Sequence, residues 1–224
     1  MSASAVIFDC DGVLINSEVI YIDVERALIR EIGLDLGVAE YQARFVGLSH
    51  VDLVAEIRAM CDAAGLSFPE DFNARHTVAC AARFADELAP VGGVAALLEA
   101  HTGSRAVASS SAPEALAEKL ALTGLAGYFS PHIYSTAEVD RGKPAPDVFL
   151  HAADRICVAA EDCIVVEDSA NGVKAGKAAG MTVWGFTGGG HADPGLSDRL
   201  RQAGADLVFD RHANIASRLI AATH

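Results

Sequence analysis

Two aspartates, a lysine set among prolines, a serine run and an acidic pair are the residues whose types and spacing point to chemistry. Asp9 and Asp11 flank Cys10 and precede Gly12, directly after the apolar run Ala5-Val6-Ile7-Phe8. That run reads as a buried strand. In an extended chain, residues two apart point to the same side. Asp9 and Asp11 are therefore expected to face one pocket at the strand's carboxyl end, with Cys10 turned into the core. Carboxylates that close repel, and one stays protonated unless a cation lies between them. The pair predicts either a proton-sharing acid pair or a hard divalent ion, with Mg²⁺ the ordinary candidate. A simple polar turn competes, since Asp and Gly are turn formers. A calcium loop fits less well, because Val13 stands where such loops carry an oxygen ligand.

Further residues of this kind close later apolar runs. Arg105-Ala106-Val107-Ala108 ends in Ser109-Ser110-Ser111, and a run after Ala160 ends in Glu167-Asp168. Between them lies Gly142-Lys143-Pro144-Ala145-Pro146, a lysine fixed just before a helix. Serines after a strand also serve as helix caps, and Glu167-Asp168-Ser169 could cap the next helix. Four acids, a rigidly placed lysine and a hydroxyl cluster at one sheet edge exceed what caps alone explain.

The elements that must position these residues follow from periodicity. Strands are expected at 5–8, 104–108, 132–135, 163–166, 182–186 and 206–209. Helices are expected at 92–101, 113–122, 146–155, 170–179 and 196–203. Strands alternating with helices imply a parallel sheet covered on both faces. The fold class is α/β, a doubly wound, Rossmann-like core, whose crevice lies beyond the carboxyl ends of the strands. Between the first strand and Pro90 the pattern is helical: from Ser17 to Gly33, then 38–45, 50–64 and 71–88. This block reads as an insertion, giving a core of residues 1–15 and 89–224 and a helical domain of 16–88.

Composition bounds the partners. The chain has 224 residues, 51% hydrophobic and 21% charged, with a formal net charge of -13. That charge argues against nucleic acid or an anionic membrane, which need basic surface. A phosphorylated ligand would gain no long-range attraction, so an anion site must be a local cationic pocket. Five cysteines without C-x-x-C spacing read as reduced thiols of a cytoplasmic protein. No signal peptide and no membrane-crossing run is recognised, no protein partner is evident, and a monomer is expected. Gly188-Gly189-Gly190-His191 reads as a flexible loop. The eight histidines show no H-E-x-x-H spacing and so no zinc signature. The serines lack a G-x-S-x-G elbow, and no dinucleotide fingerprint opens a first β-α turn.

The order Asp9-x-Asp11-Gly12-Val13-Leu14, Val107-Ala108-Ser109, Lys143-Pro144-Ala145-Pro146-Asp147, Glu167-Asp168-Ser169-x-x-Gly172 resembles the haloacid dehalogenase superfamily over nearly the whole chain. It is most similar to sugar-phosphate phosphatases and β-phosphoglucomutases with a helical cap. The resemblance implies that Asp9 is a nucleophile taking the phosphoryl group, and Asp11 the general acid and then base. Asp9, the Asp11 carbonyl, Glu167 and Asp168 would hold Mg²⁺. Ser109 and the Ser110 amide would hold phosphate oxygens, and Lys143 would neutralise nucleophile and phosphate. The partner is then a small phosphorylated metabolite, a sugar phosphate, and the cap would close to exclude bulk water.

Cap residues discriminate among family members. The mutases carry a lysine and an arginine around a cap glycine; in Phe45-Val46-Gly47-Leu48-Ser49-His50, Val46 and His50 stand in those places. Tyr21 replaces an early cap histidine. Both departures favour a phosphatase over a mutase. Substrate contacts are expected from Asn16, Glu18, Tyr21, Arg44, Gly47, His50 and Arg75. No lysine occurs in residues 1–100, which opposes Schiff-base phosphonate chemistry, and Asp11 opposes dehalogenase chemistry. A rival from another class is a phospho-accepting, receiver-like signalling module. Such modules also combine an aspartate pocket, Mg²⁺, a hydroxyl and a lysine, but they are shorter, lack a helical cap and use a central strand instead of the first.

Overall fold

Along strand β1 (Ala5–Phe8), Val6 and Phe8 enter one apolar cluster while Ala5 and Ile7 enter another. This is the alternation that buries a strand on both faces. The computed structural model describes residues 4–45, 48 and 50–222. β1 pairs in parallel with β2 (Ser104–Ser109) and β4 (Cys163–Glu167). β3 (Ile133–Ser135), β5 (Thr182–Phe186) and β6 (Leu207–Phe209) extend the sheet, again in parallel, in the order β3-β2-β1-β4-β5-β6.

On the Phe8 face lie α5 (Val94–Ala100), α6 (Pro113–Leu122), α7 (Ala126–Phe129) and α11 (His212–Ala222), through Leu97, Leu116, Phe129 and Ile215. On the Ile7 face lie α8 (Asp147–Arg155), α9 (Ala170–Ala178) and α10 (Leu196–Ala203), through Phe149, Val173 and Leu200. This is the doubly wound α/β sheet expected, and most extents agree within two residues. α7 and α11 were not expected. α7 is too short to show a period. α11 presents Ile215 and Leu219 four apart but has Arg211, not a capping residue, before its first turn.

The chain divides into two compact units, residues 1–16 with 88–224, and Ser17–Glu87. The second unit carries α1 (Ser17–Ile32), α2 (Val38–Phe45), α3 (His50–Ala64) and α4 (Phe72–Glu87). Within it, α4 buries Phe72, His76, Cys80 and Phe84, one residue per turn. No helix among the described residues is long and apolar enough to cross a membrane. The cysteines form no disulfide; Cys10, Cys61, Cys80 and Cys163 are buried and Cys157 is exposed.

Phe129 anchors α7 with its ring 5.9 Å from that of Phe8, edge to face. Phe129→Ala should lower the unfolding free energy by about 3–5 kcal/mol through the cavity it leaves. Urea denaturation followed by the fluorescence of Trp184, the single tryptophan, measures this. A loss under about 1 kcal/mol would contradict the packing described.

Candidate active site

The strand order reverses between β1 and β4, the switch point where open α/β sheets place ligands. Asp9 follows β1, Glu167 ends β4, and Ser109 ends β2. Lys143 lies in the segment leading to α8 and reaches this point. Its ammonium donates to Asp9 Oδ1 at 2.5 Å, to Glu167 Oε1 at 2.7 Å and to the Ala108 carbonyl at 3.0 Å. All three of its N–H groups are thereby used. The Phe149 ring supports it, 4.8 Å from the nitrogen.

Burial pushes the Asp9 carboxyl up to about 7; Lys143 pulls it down, while Glu167 and Asp11 add to the rise. Burial works to lower the Lys143 ammonium, but Asp9 and Glu167 outweigh it and hold the group above its ordinary value. Burial thus outweighs the lysine at Asp9.

The Asp11 carboxylate takes partners of its own. β1 ends at Phe8, and the chain turns with Leu14 N and Ile15 N both donating to the Cys10 carbonyl. The extended geometry expected for residues 9–11 is lost, although Cys10 does enter the core. Asp11 instead accepts from the Lys119 ammonium and, at 2.8 Å, from the Ser111 hydroxyl. Lys119 also donates to Ser111 Oγ at 2.8 Å and is 1% exposed. Each aspartate has its own ammonium, Lys143 for Asp9 and Lys119 for Asp11, which offsets part of the repulsion between them.

Two glycines make the close approaches possible. A Cβ on Gly12, whose φ is 78°, would lie 1.8 Å from Asp168 Oδ2; one on Gly172 would lie 1.6 Å from Glu167 Oε1. Glu167 Oε2 accepts from the Ser169 amide at 2.8 Å and its hydroxyl at 2.9 Å. Ser169 is at the same time the N-cap of α9, accepting from Gly172 N. The capping reading thus holds for Ser169, while Glu167 faces Lys143. Asp168 Oδ2 lies 3.2 Å from His191 Nε2. The 188–191 segment is packed down: Gly190 N donates to Asn16 Oδ1 at 3.0 Å, and a Cβ on Gly189 would come 2.5 Å from the Gly12 carbonyl.

Of the other candidates, Ser109 is buried and accepts from Ser111 N at 3.1 Å; Ser110 is exposed. In the helical unit, Glu18 is half-buried and Tyr21 stacks on His76, centroids 5.8 Å apart. Arg44 pairs with Glu56 and Arg75 with Glu31, so neither guanidinium is uncommitted. His50 Nε2 lies 3.1 Å from Asn73 Oδ1. Gly47, with Val46 and Ser49, lies outside the described residues.

Lys119, Ser111 and His191 are the site neighbours that the sequence reading missed. Lys119 left a trace, a lysine in step with Leu116 and Leu120 on the buried face of α6. His191 left none, since only folding carries it to Asp168.

A sequence model described as haloacid dehalogenase-like hydrolase matches residues 3–180. The chain is 32% identical over 190 residues to 6-phosphogluconate phosphatase of Escherichia coli (strain K12), covering 85% of each. Its structure is similar, at a TM-score of 0.91 and 35% identity over 100% of both chains, to a haloacid dehalogenase-like protein of Agrobacterium tumefaciens. It is also similar to a hydrolase of Deinococcus radiodurans crystallised with bound phosphate and sodium: TM-score 0.84, 33% identity, 99% of this chain and 96% of that one.

The raised Asp9 carboxyl has a consequence for stability. It holds its proton more tightly folded than unfolded, so its contribution is full below its ordinary 3.8 and is lost as pH rises to about 7. In metal-free buffer, Asp9→Asn should gain Tm over the parent across that interval and keep a constant lead above it. Thermal unfolding followed by circular dichroism provides the difference curve; a flat one would refute the burial argument.

Proposed function

We propose, from the premise that this chain belongs to the haloacid dehalogenase-like hydrolase family, that it is a Mg²⁺-dependent phosphatase. Its substrate would be a small phosphorylated metabolite, a sugar phosphate. The observation that carries the reading is Lys143 joining Asp9 and Glu167 at the β1/β4 switch point. The Escherichia coli relative is a phosphatase of 6-phosphogluconate, and the Deinococcus hydrolase was crystallised with phosphate. Both support this reading over a receiver-like module.

In the first half-reaction an Asp9 carboxylate oxygen attacks phosphorus and the bond to the leaving oxygen breaks. Asp11 gives that oxygen a proton, releasing the alcohol and leaving an aspartyl-phosphate. In the second, Asp11 takes a proton from water as its oxygen attacks phosphorus. The Asp9–phosphate bond breaks and inorganic phosphate leaves. Lys119 and Ser111 hold the Asp11 carboxylate, and Lys143 offsets the repulsion between Asp9 and a phosphate dianion. Ser109 and the Ser110 amide would receive phosphate oxygens.

The donor set suits a hard cation. Asp9, Glu167, Asp168 and the Asp11 carbonyl offer only oxygen, as Mg²⁺ prefers, and three of them are carboxylates beside a single lysine, Lys143. Bound there, the ion would neutralise charge on the transferring phosphoryl group. Phosphate monoester hydrolysis needs accelerations up to ~10²¹, of which a general acid supplies only ~10²–10⁴. Charge stabilisation and the covalent intermediate must therefore carry most of the rest. The helical unit is assigned the role of cap, choosing the substrate.

A phosphate-release screen over phosphorylated metabolites, with Mg²⁺ and with chelator, tests this. Turnover should require Mg²⁺, vanish in Asp9→Asn while the dichroism spectrum is unchanged, and fall by ~10²–10⁴ in Asp11→Asn. Normal turnover by a folded Asp9→Asn would sink the proposal.

A further inference from the structure

The helical unit holds a second grouping of ligand-type side chains with no part in the chemistry above. Glu25 of α1, His50 at the start of α3 and His76 of α4 bring their ligand atoms within 4.8 Å of one another. His76 Nε2 lies 3.1 Å from Glu25 Oε1. Zinc takes nitrogen and oxygen donors at ~2.0–2.1 Å in a tetrahedron, which places neighbouring donors roughly 3.3 Å apart. The His76–Glu25 separation is close to that. Three protein donors from two imidazoles and a carboxylate leave one position of the tetrahedron open.

Its surroundings are those of a ligand set. The buried Tyr41 hydroxyl donates to Glu25 Oε2, which turns Oε1 toward His76. Ligating carboxylates are commonly held by such an outer hydrogen bond. Burial and the neighbouring Glu25 push the Tyr41 hydroxyl above its ordinary value, so it remains a donor. Cys80 follows His76 by one helical turn, and its sulfur lies 3.5 Å from His76 Nε2. Two imidazole donors favour zinc-class ions over Mg²⁺, so this grouping and the oxygen-only cup of the core would not compete for one metal. Glu25 and His76 are 6% and 8% exposed while His50 is exposed, which leaves an entry path. Without an ion, His76 would bond Glu25 and His50 would bond Asn73, and the two imidazoles would still lie with centroids 5.1 Å apart.

We propose that Glu25, His50 and His76 bind Zn²⁺ or a cation of its class, tying α1, α3 and α4 together independently of the phosphatase site.

The whole chain, stripped with chelator and kept in excess Mg²⁺ to occupy oxygen sites, is dialysed against Zn²⁺ and titrated separately with Co²⁺. One equivalent of Zn²⁺ should bind and raise Tm, and Co²⁺ should give the intense visible absorption of low-coordinate cobalt. His50→Ala, Glu25→Gln and His76→Asn should each remove that equivalent and the Tm gain. Tyr41→Phe, which keeps every ligand, should weaken binding by ~10–100-fold. His50→Ala decides the matter should the buried variants misfold, because His50 is exposed. No bound equivalent in the parent chain, or equal binding by His50→Ala, would overturn the proposal. Phosphate release in Mg²⁺ is not the readout, so the two proposals fail separately.

Discussion

Charge compensation by buried lysines is the constraint on which the sheet's carboxyl edge depends. Asp9, Asp11, Glu167 and Asp168 converge there in a chain of net charge -13. Of only four lysines in the sequence, two are buried at this place, Lys143 and Lys119. A buried ion pair is weak as a stabiliser but costly to break, since removing one partner strands a desolvated charge. The pairs therefore fix where each carboxylate points more than they hold the domain together. That division of labour gives Asp9 and Asp11 separate surroundings only two residues apart.

The geometry around those pairs is set by absent side chains as much as present ones. Gly12 and Gly172 stand where any Cβ would occupy the space of Asp168 or Glu167. Both glycines make room for the acids of the Glu-Asp-Ser-x-x-Gly turn, Gly12 for Asp168 and Gly172 for Glu167. Ser169 serves twice, capping α9 and orienting Glu167, so the helix start and the site cannot be built independently.

The helical unit shows different chemistry. Several of its acids meet arginines at the surface, as Glu31 with Arg75 and Glu56 with Arg44. Its interior places His76 and Cys80 on the one-per-turn stripe of α4, with Glu25 of α1 beside His76. Oxygen donors with ammoniums gather in one unit, and imidazoles with a carboxylate in the other.

How much of this was legible in the sequence follows the range of the forces involved. Apolar runs and helical periods are local, and so are the polar residues that end each strand. Asp9, Ser109, Lys143 and Glu167 could be placed at one edge of an α/β sheet because strand ends in a parallel sheet share an edge. The sequence by itself determined the fold class, the alternation after Pro90, the helical run between Ser17 and Glu87 and the sheet edge at which those residues lie. Tertiary structure decided which side chains meet. Lys119 reaches Asp11 across 108 positions, His191 reaches Asp168 across a loop that spacing marked only as flexible, and His50 and His76 meet Glu25 from three helices. Even the two neighbouring aspartates take different ammoniums, Lys143 for Asp9 and Lys119 for Asp11. Such pairings are fixed by packing and by the cost of leaving a buried charge uncompensated, and neither can be read from the spacing of residues along a chain.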